Sequence, residues 1–161
     1  MPYYLNMPDC EGNVTAHGYE GWIVLRGMRF GSATGVAQAA GYASDGRRAH
    51  AARVSEMTLL KELEDSSGQL FTRHLNRVGG GVAKIHCVST GVSTPTKLLE
   101  IELKDPLITS WSMETSGGTP IETLTVSFTA ITTTHYVRGQ DDTKSKPGYT
   151  SSYDLSAGST S

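Results

Sequence analysis

Along most of the chain, apolar and polar residues alternate with a period of two. The clearest case is 97–104, where Leu99, Ile101 and Leu103 fall on one side and Glu100, Glu102 and Lys104 on the other, as a half-buried strand requires. Strands are also expected at 82–90 and 108–115, the latter after a turn at Asp105-Pro106, and at 3–7, closed by Pro8-Asp9. Within 19–30 the run Trp22-Ile23-Val24-Leu25 is continuously apolar, which suits a strand covered on both faces or by a partner. In 53–63, Val54, Glu56, Thr58 and Leu60 share one face, and Ser55, Met57, Leu59 and Lys61 the other. The longest run, 123–136, sets Leu124, Val126, Phe128 and Ala130 against Thr125, Ser127, Thr129 and Ile131.

One segment takes the helical period instead. Leu70, Phe71, His74, Leu75 and Val78 recur at helical spacing. Ser66 and Gln69 have the spacing of a capping box with Ser66 as N-cap. Gly79-Gly80-Gly81 follows, and glycine is the favoured residue just past a helix. Many short strands with regular turns and one helix predict a mainly β fold: a small antiparallel β-barrel or sandwich with one flanking α-helix.

Two segments break the pattern. Residues 31–52 contain four Gly and eight Ala, with Asp45-Gly46 as a turn signal, and read as a long projecting loop. From Val137 onward, 13 of 25 residues are Ser, Thr, Gly or Pro, which predicts a tail that is disordered or ordered only by a partner. The expected organisation is one domain over 1–136, with the long loop at about 31–52, followed by the tail 137–161.

Composition narrows the function. The net charge of −2 supplies no excess of cations to neutralise phosphates, so no nucleic-acid partner is expected. The N-terminal residues lack a basic n-region and an apolar h-region, and no apolar run is long enough to span a bilayer. We therefore expect no signal peptide, no membrane insertion and a cytoplasmic start.

Motifs of catalysis are missing. His17, His50, His74, His86 and His135 show no metal-site spacing, and the chain has no H-E-x-x-H, G-x-S-x-G, Walker A or G-x-G-x-x-G. Cys10 and Cys87 share no C-x-x-C spacing, and two residues alone leave open whether they pair. Glu62 and Glu64 flank a strand end, and Glu100 and Glu102 share a strand face read as solvated. The chain reads as no enzyme, with no catalytic, cofactor-binding or metal-ligating residues assigned and no cofactor.

The strands themselves suggest assembly. The run 123–134 is long, rich in threonine and free of Pro and Lys. As a sheet edge it would invite pairing with another chain.

Four segments carry a family resemblance. Gly18-Tyr19-Glu20-Gly21-Trp22-Ile23, Lys61-Glu62-Leu63-Glu64-Asp65-Ser66-Ser67-Gly68-Gln69-Leu70-Phe71, Ile101-Glu102-Leu103-Lys104-Asp105-Pro106-Leu107-Ile108-Thr109-Ser110-Trp111-Ser112 and Gly118-Thr119-Pro120-Ile121-Glu122-Thr123-Leu124-Thr125-Val126-Ser127-Phe128 occur in this order. Together they make the chain similar to the Hcp (haemolysin-coregulated) proteins of bacterial type VI secretion systems. The resemblance implies a small β-barrel with one flanking helix that forms homohexameric rings stacked into the inner tube of a contractile machine. It also implies sheath and spike proteins as partners, secreted effectors as cargo, and export without a signal peptide. On this reading the loop 31–52 meets a neighbouring subunit or ring. Two other readings stand beside it: the tail-tube protein of a phage or phage-like particle, and a small β-barrel ligand-binding module.

Overall fold

The computed structural model describes residues 1–38, 47–90, 96–138 and 145–160. In chain order the elements are β1 (Tyr3–Asn6), β2 (Ile23–Leu25), β3 (Gly27–Arg29), β4 (Ser32–Ala33), β5 (Val36–Gln38), β6 (Arg47–Ala49), β7 (Arg53–Val54), β8 (Met57–Glu62), α1 (Ser67–Leu75), β9 (Val82–Ser89), β10 (Thr96–Lys104), β11 (Leu107–Glu114), β12 (Ile121–Ser127), β13 (Ala130–Arg138), β14 (Ser145–Asp154) and β15 (Ser159–Thr160). The fold is mainly β, as the alternation predicts. A seven-stranded sheet in the order β15-β14-β13-β10-β9-β1-β2 faces a four-stranded sheet in the order β11-β12-β8-β3. Every pairing is antiparallel.

The apolar face of each sheet supplies the core. Leu5, Ile85, Ile101, Leu103 and Ile131 from one sheet meet Met57, Leu59, Leu124 and Val126 from the other, and Leu70 of α1 joins them. The chain passes between the sheets through α1, from β8 to β9, at the Asp105-Pro106 turn, from β10 to β11, and at two further bends. One is at Arg26, between β2 and β3, where the Arg26 amide donates to the Leu60 carbonyl at 2.8 Å. The other is at Phe128-Thr129, where the run 123–136, read as one strand, is in fact β12 and β13 in different sheets. Bends of this kind turn corners between packed sheets. Across it the alternation slips by one position: Leu124, Val126 and Phe128 are buried, and then Ile131 rather than Ala130.

That division also relocates the open edges. β12 lies between β11 and β8, and β13 lies between β10 and β14, so the threonine-rich run is no edge. The outermost strands are β2 and β15 in one sheet, and β3 and β11 in the other.

Two further expectations are corrected. Among the described residues of 31–52, Ser32–Ala33, Val36–Gln38 and Arg47–Ala49 are strands: β4 with β7 and β5 with β6 form a two-step β-arm. The turn signal Asp45-Gly46 lies outside the described residues. The tail is likewise paired, because β14 runs antiparallel to β13 over most of its length and β15 folds back on β14. Tyr153 packs against the core and donates its hydroxyl to the Ala52 carbonyl at 2.6 Å. The hydroxyl-rich composition that reads as disorder here makes cross-strand bonds.

The helix starts where expected, but its ends are built differently. Ser66 is the N-cap without a side-chain cap bond. Its hydroxyl instead donates to Glu64, and Gln69 holds the Glu11 amide at 2.8 Å. The C-terminus closes before the triple glycine. The Arg77 amide donates to the His74 carbonyl and the Val78 amide to the Arg73 carbonyl, both at 3.1 Å, the Schellman arrangement. This puts Arg77 at φ 54, a conformation that costs a residue with a Cβ about 1–2 kcal/mol. Arg77→Gly is therefore expected to stabilise the protein by about 1 kcal/mol, read as a shift of the urea midpoint at unchanged slope.

Candidate functional site

The outward face of the seven-stranded sheet is an ordered polar surface. Strand register lines up Tyr4, His86, Glu100, Thr134 and Thr150 across five strands, and Lys84, Glu102, Thr132 and Ser152 across four. These positions face away from the core because their neighbours Leu5, Ile85, Ile101 and Leu103 face into it. The rows are knitted laterally. Lys84 Nζ lies 2.8 Å from Glu102 Oε1, Thr132 Oγ1 lies 2.9 Å from Ser152 Oγ, and Thr134 Oγ1 lies 3.1 Å from Thr150 Oγ1. The Glu102 bond raises the Lys84 ammonium above its ordinary pKa, against a small opposing desolvation.

Near β1 this face is roofed by the segment after β1. Val14, Tyr19, Tyr4 and Val88 form a second small cluster with Trp22 against it. Tyr19 stands edge-on to both Trp22 and His86, with ring centroids 5.0 and 5.6 Å apart. His86 is buried beneath them. Its Nδ1 lies 3.2 Å from the Tyr19 hydroxyl. Its Nε2 lies 3.0 Å from Glu100 Oε2 but without hydrogen-bond alignment, so the two groups are close without a directed bond. Burial, and then the nearby Lys97 ammonium, push the imidazole down to about 4; Glu100 offsets only part of this. Burial would raise the Glu100 carboxyl, but its bond to Lys97 and the charges of Lys97, His86 and Lys84 together outweigh that and hold it below the usual range. Lys97 also sits over the Tyr136 ring, 4.8 Å from its centroid. The solvated face expected at Glu100 and Glu102 is thus correct in direction, while Glu100 is half-buried in a charge network.

A second polar cluster lies inside the fold. Lys61 and Glu122 are directly opposite on β8 and β12, and both are fully buried. Lys61 Nζ donates to Glu122, to Ser67 Oγ at 2.8 Å and to the Glu62 carbonyl at 2.9 Å. The Ser67 hydroxyl lies 2.6 Å from Glu122 Oε2, and Trp111 Nε1 donates to Glu122 Oε1 at 3.2 Å. A Ser–Lys pair is a nucleophile arrangement in some hydrolases. Here both groups are buried and bonded to carboxylates, so the cluster fastens the start of α1 to the four-stranded sheet.

The remaining candidates stay apart. His17 and His50 are exposed, His74 Nδ1 lies 2.9 Å from the Ile108 carbonyl, and His135 pairs with Leu99 in the sheet. Cys10 and Cys87 are both free and buried, and burial pushes both thiols up, as in inert structural cysteines. Among the described residues no group of three His, Cys, Asp or Glu is placed to hold a metal. No described helix is long and apolar enough to cross a membrane.

A two-sheet fold with a polar outer face, open edges and a projecting arm is the geometry of a building block. The family model for the type VI secretion system effector Hcp matches residues 4–135. The chain belongs to the Hcp family. Solved Hcp structures share the fold. One described as a type six secretion system protein is 14% identical, with a TM-score of 0.86 and 99% of each chain covered. Hcp1 from Salmonella typhimurium is 16% identical, with a TM-score of 0.78, covering 99% of this chain and 98% of that one. The secreted protein Hcp3 from Pseudomonas aeruginosa is 15% identical, with a TM-score of 0.60, covering 95% and 97%. None of the curated proteins compared with the chain matches it in sequence. Within the Hcp family, identities this low carry the fold alone.

Proposed function

We propose that this Hcp-family chain is the subunit of a type VI secretion inner tube. Six copies close a ring, rings stack into a tube, and the tube is driven out by a contracting sheath behind a spike, carrying effectors. The observation that supports this most is the outward face of the seven-stranded sheet. Its charges and hydroxyls are bonded laterally to one another, so the sheet presents a polar and rigid wall suited to lining a water-filled bore. Ring closure would use the open edges β2 and β11, where unpaired backbone groups meet a neighbouring copy. Met113, exposed on β11, would lose contact with water there.

The test is secretion in the source bacterium. The protein should accumulate in the culture medium while the sheath gene is intact, and stay in the cells when it is deleted. Equal release from both strains, with a cytoplasmic marker retained, would overturn the proposal.

A further inference from the structure

The charges of this chain are sorted along strand β8. Residues 27–55 hold Arg29, Arg47, Arg48 and Arg53 against the single acid Asp45, a net of 4 − 1 = +3 in a chain whose total is −2. The rest of the molecule therefore carries −2 − 3 = −5. The β-arm joins the sheet at the start of β8, where Arg29 is paired with Thr58 and the Ser55 amide donates to the Gly31 carbonyl. Arg29, Phe30 and Arg53 line a cavity of about 660 Å³ there, together with Glu56.

The other end of β8 is acidic. Glu62 closes the strand, and Glu64 and Asp65 lead into α1. Glu11 is drawn to the same place by its amide bond to Gln69, and the Asn13 amide donates to Glu64 Oε2 at 3.1 Å. Glu20 is next to Gly21, where an added Cβ would lie 3.6 Å from the Glu11 side chain. The six residues of β8 separate the two ends by about 20 Å.

The charges at the two ends differ in another respect. Arg26 at the acidic end is paired with Glu62, and Lys61 is paired inside the fold. Arg29, Arg53, Glu11 and Asp65 are all exposed, and among the described residues none has an opposite charge within 4.0 Å. Each end also has an apolar element of matching kind. Phe30 is exposed beside Arg29, and a cavity of about 300 Å³ lined by Val24, Leu63 and Arg26 opens beside Glu62.

We propose that the arginine end of one copy docks on the acidic end of a second copy. Arg29 and Arg53 would face Glu11 and Asp65, with Phe30 directed at the Val24–Leu63 cavity. Because the two surfaces differ and lie at opposite ends, the contact is head-to-tail and cannot close on itself as a dimer; it propagates as a stack. The inference rests on the tube reading above and adds to it the surfaces and the electrostatic nature of the ring-to-ring contact.

The experiment compares four samples: the unaltered protein, R29E/R53E, E11R/D65R, and an equal mixture of the two variants. Native mass reports the ring, and light scattering with negative-stain imaging reports stacking. At about 0.01 M salt the screening length is about 30 Å, and at about 1 M it is about 3 Å. The unaltered protein should stack at low salt and come apart into rings at high salt. Each variant alone should keep the ring mass and lose stacking by roughly tenfold or more, since like charges then meet. The mixture should stack again. Rings that stack equally in all four samples, a mixture no better than its parts, or variants that lose the ring itself would overturn this inference. A protein that stays monomeric at every salt concentration would instead strike the tube reading on which it rests.

Discussion

Replacing Glu122 with leucine is expected to destabilise the fold by about 3–5 kcal/mol. The substitution leaves the Lys61 ammonium fully buried with its directly opposed carboxylate gone. It also removes the acceptor of Trp111 Nε1 and one partner of Ser67. Glu64 Oε1, 3.1 Å from Lys61 Nζ, compensates only in part. The double replacement Lys61→Met with Glu122→Leu should recover most of the loss, because a well-packed apolar pair of similar volume carries no desolvation cost. Chemical denaturation of the two single variants and the double variant measures the coupling directly. Equal stability of Glu122→Leu and the parent would show that the pair does not hold the helix to the sheet.

The second large effect is acid sensitivity centred on His86. Its imidazole is pushed down to about 4 in the folded protein, whereas an unfolded chain takes up the proton near 6.5. Below pH 6.5 the unfolded state binds the proton first, so stability is full above 6.5 and falls as pH is lowered toward 4. The loss amounts to about 3 kcal/mol at the low end. The groups facing His86 set the sign: Lys97 and Lys84 oppose its charging, and Glu100 favours it. Glu100, held below the usual carboxylate range, adds stability that is lost as pH falls through its own folded value. His86→Phe should flatten the profile between pH 6.5 and 4.5 while leaving the acid limb of the carboxylates. A variant whose stability falls as steeply as the parent's over that window would place the titration elsewhere.

What the sequence revealed depended on whether burial left a period behind. Leu99, Ile101 and Leu103 against Glu100 and Glu102 is an alternation with one buried face, and β10 follows it. The helical spacing from Leu70 to Leu75 is equally direct. The division of 123–136 was hidden because the slip at Phe128-Thr129 shifts the pattern by a single position, too little to interrupt it. The β-arm was hidden because its small residues are exposed on both faces: Ser32, Ala33 and Val36 have nothing to alternate against. In β14 the only apolar marks are Tyr149, exposed, and Tyr153, packed on the core. Its strand is held by backbone pairing and by threonine and serine hydroxyls, which composition alone reads as disorder.

The polar clusters were illegible for a different reason. Alternation placed Lys61 on the face of Met57 and Leu59, which is the buried one, yet its partner Glu122 lies 61 positions away. Likewise Glu100 meets His86 only through the β9–β10 register, while Lys97 reaches it from within β10. A charged residue at a core position of a strand is the one signal that pointed to the Lys61–Glu122 cluster.

Native mass at micromolar concentration, with negative-stain images of the same sample, decides whether this chain builds a tube. A mass near six subunits, with annular particles, is the result expected of a tube subunit. A single species of 17.2 kDa at every concentration and salt would contradict it.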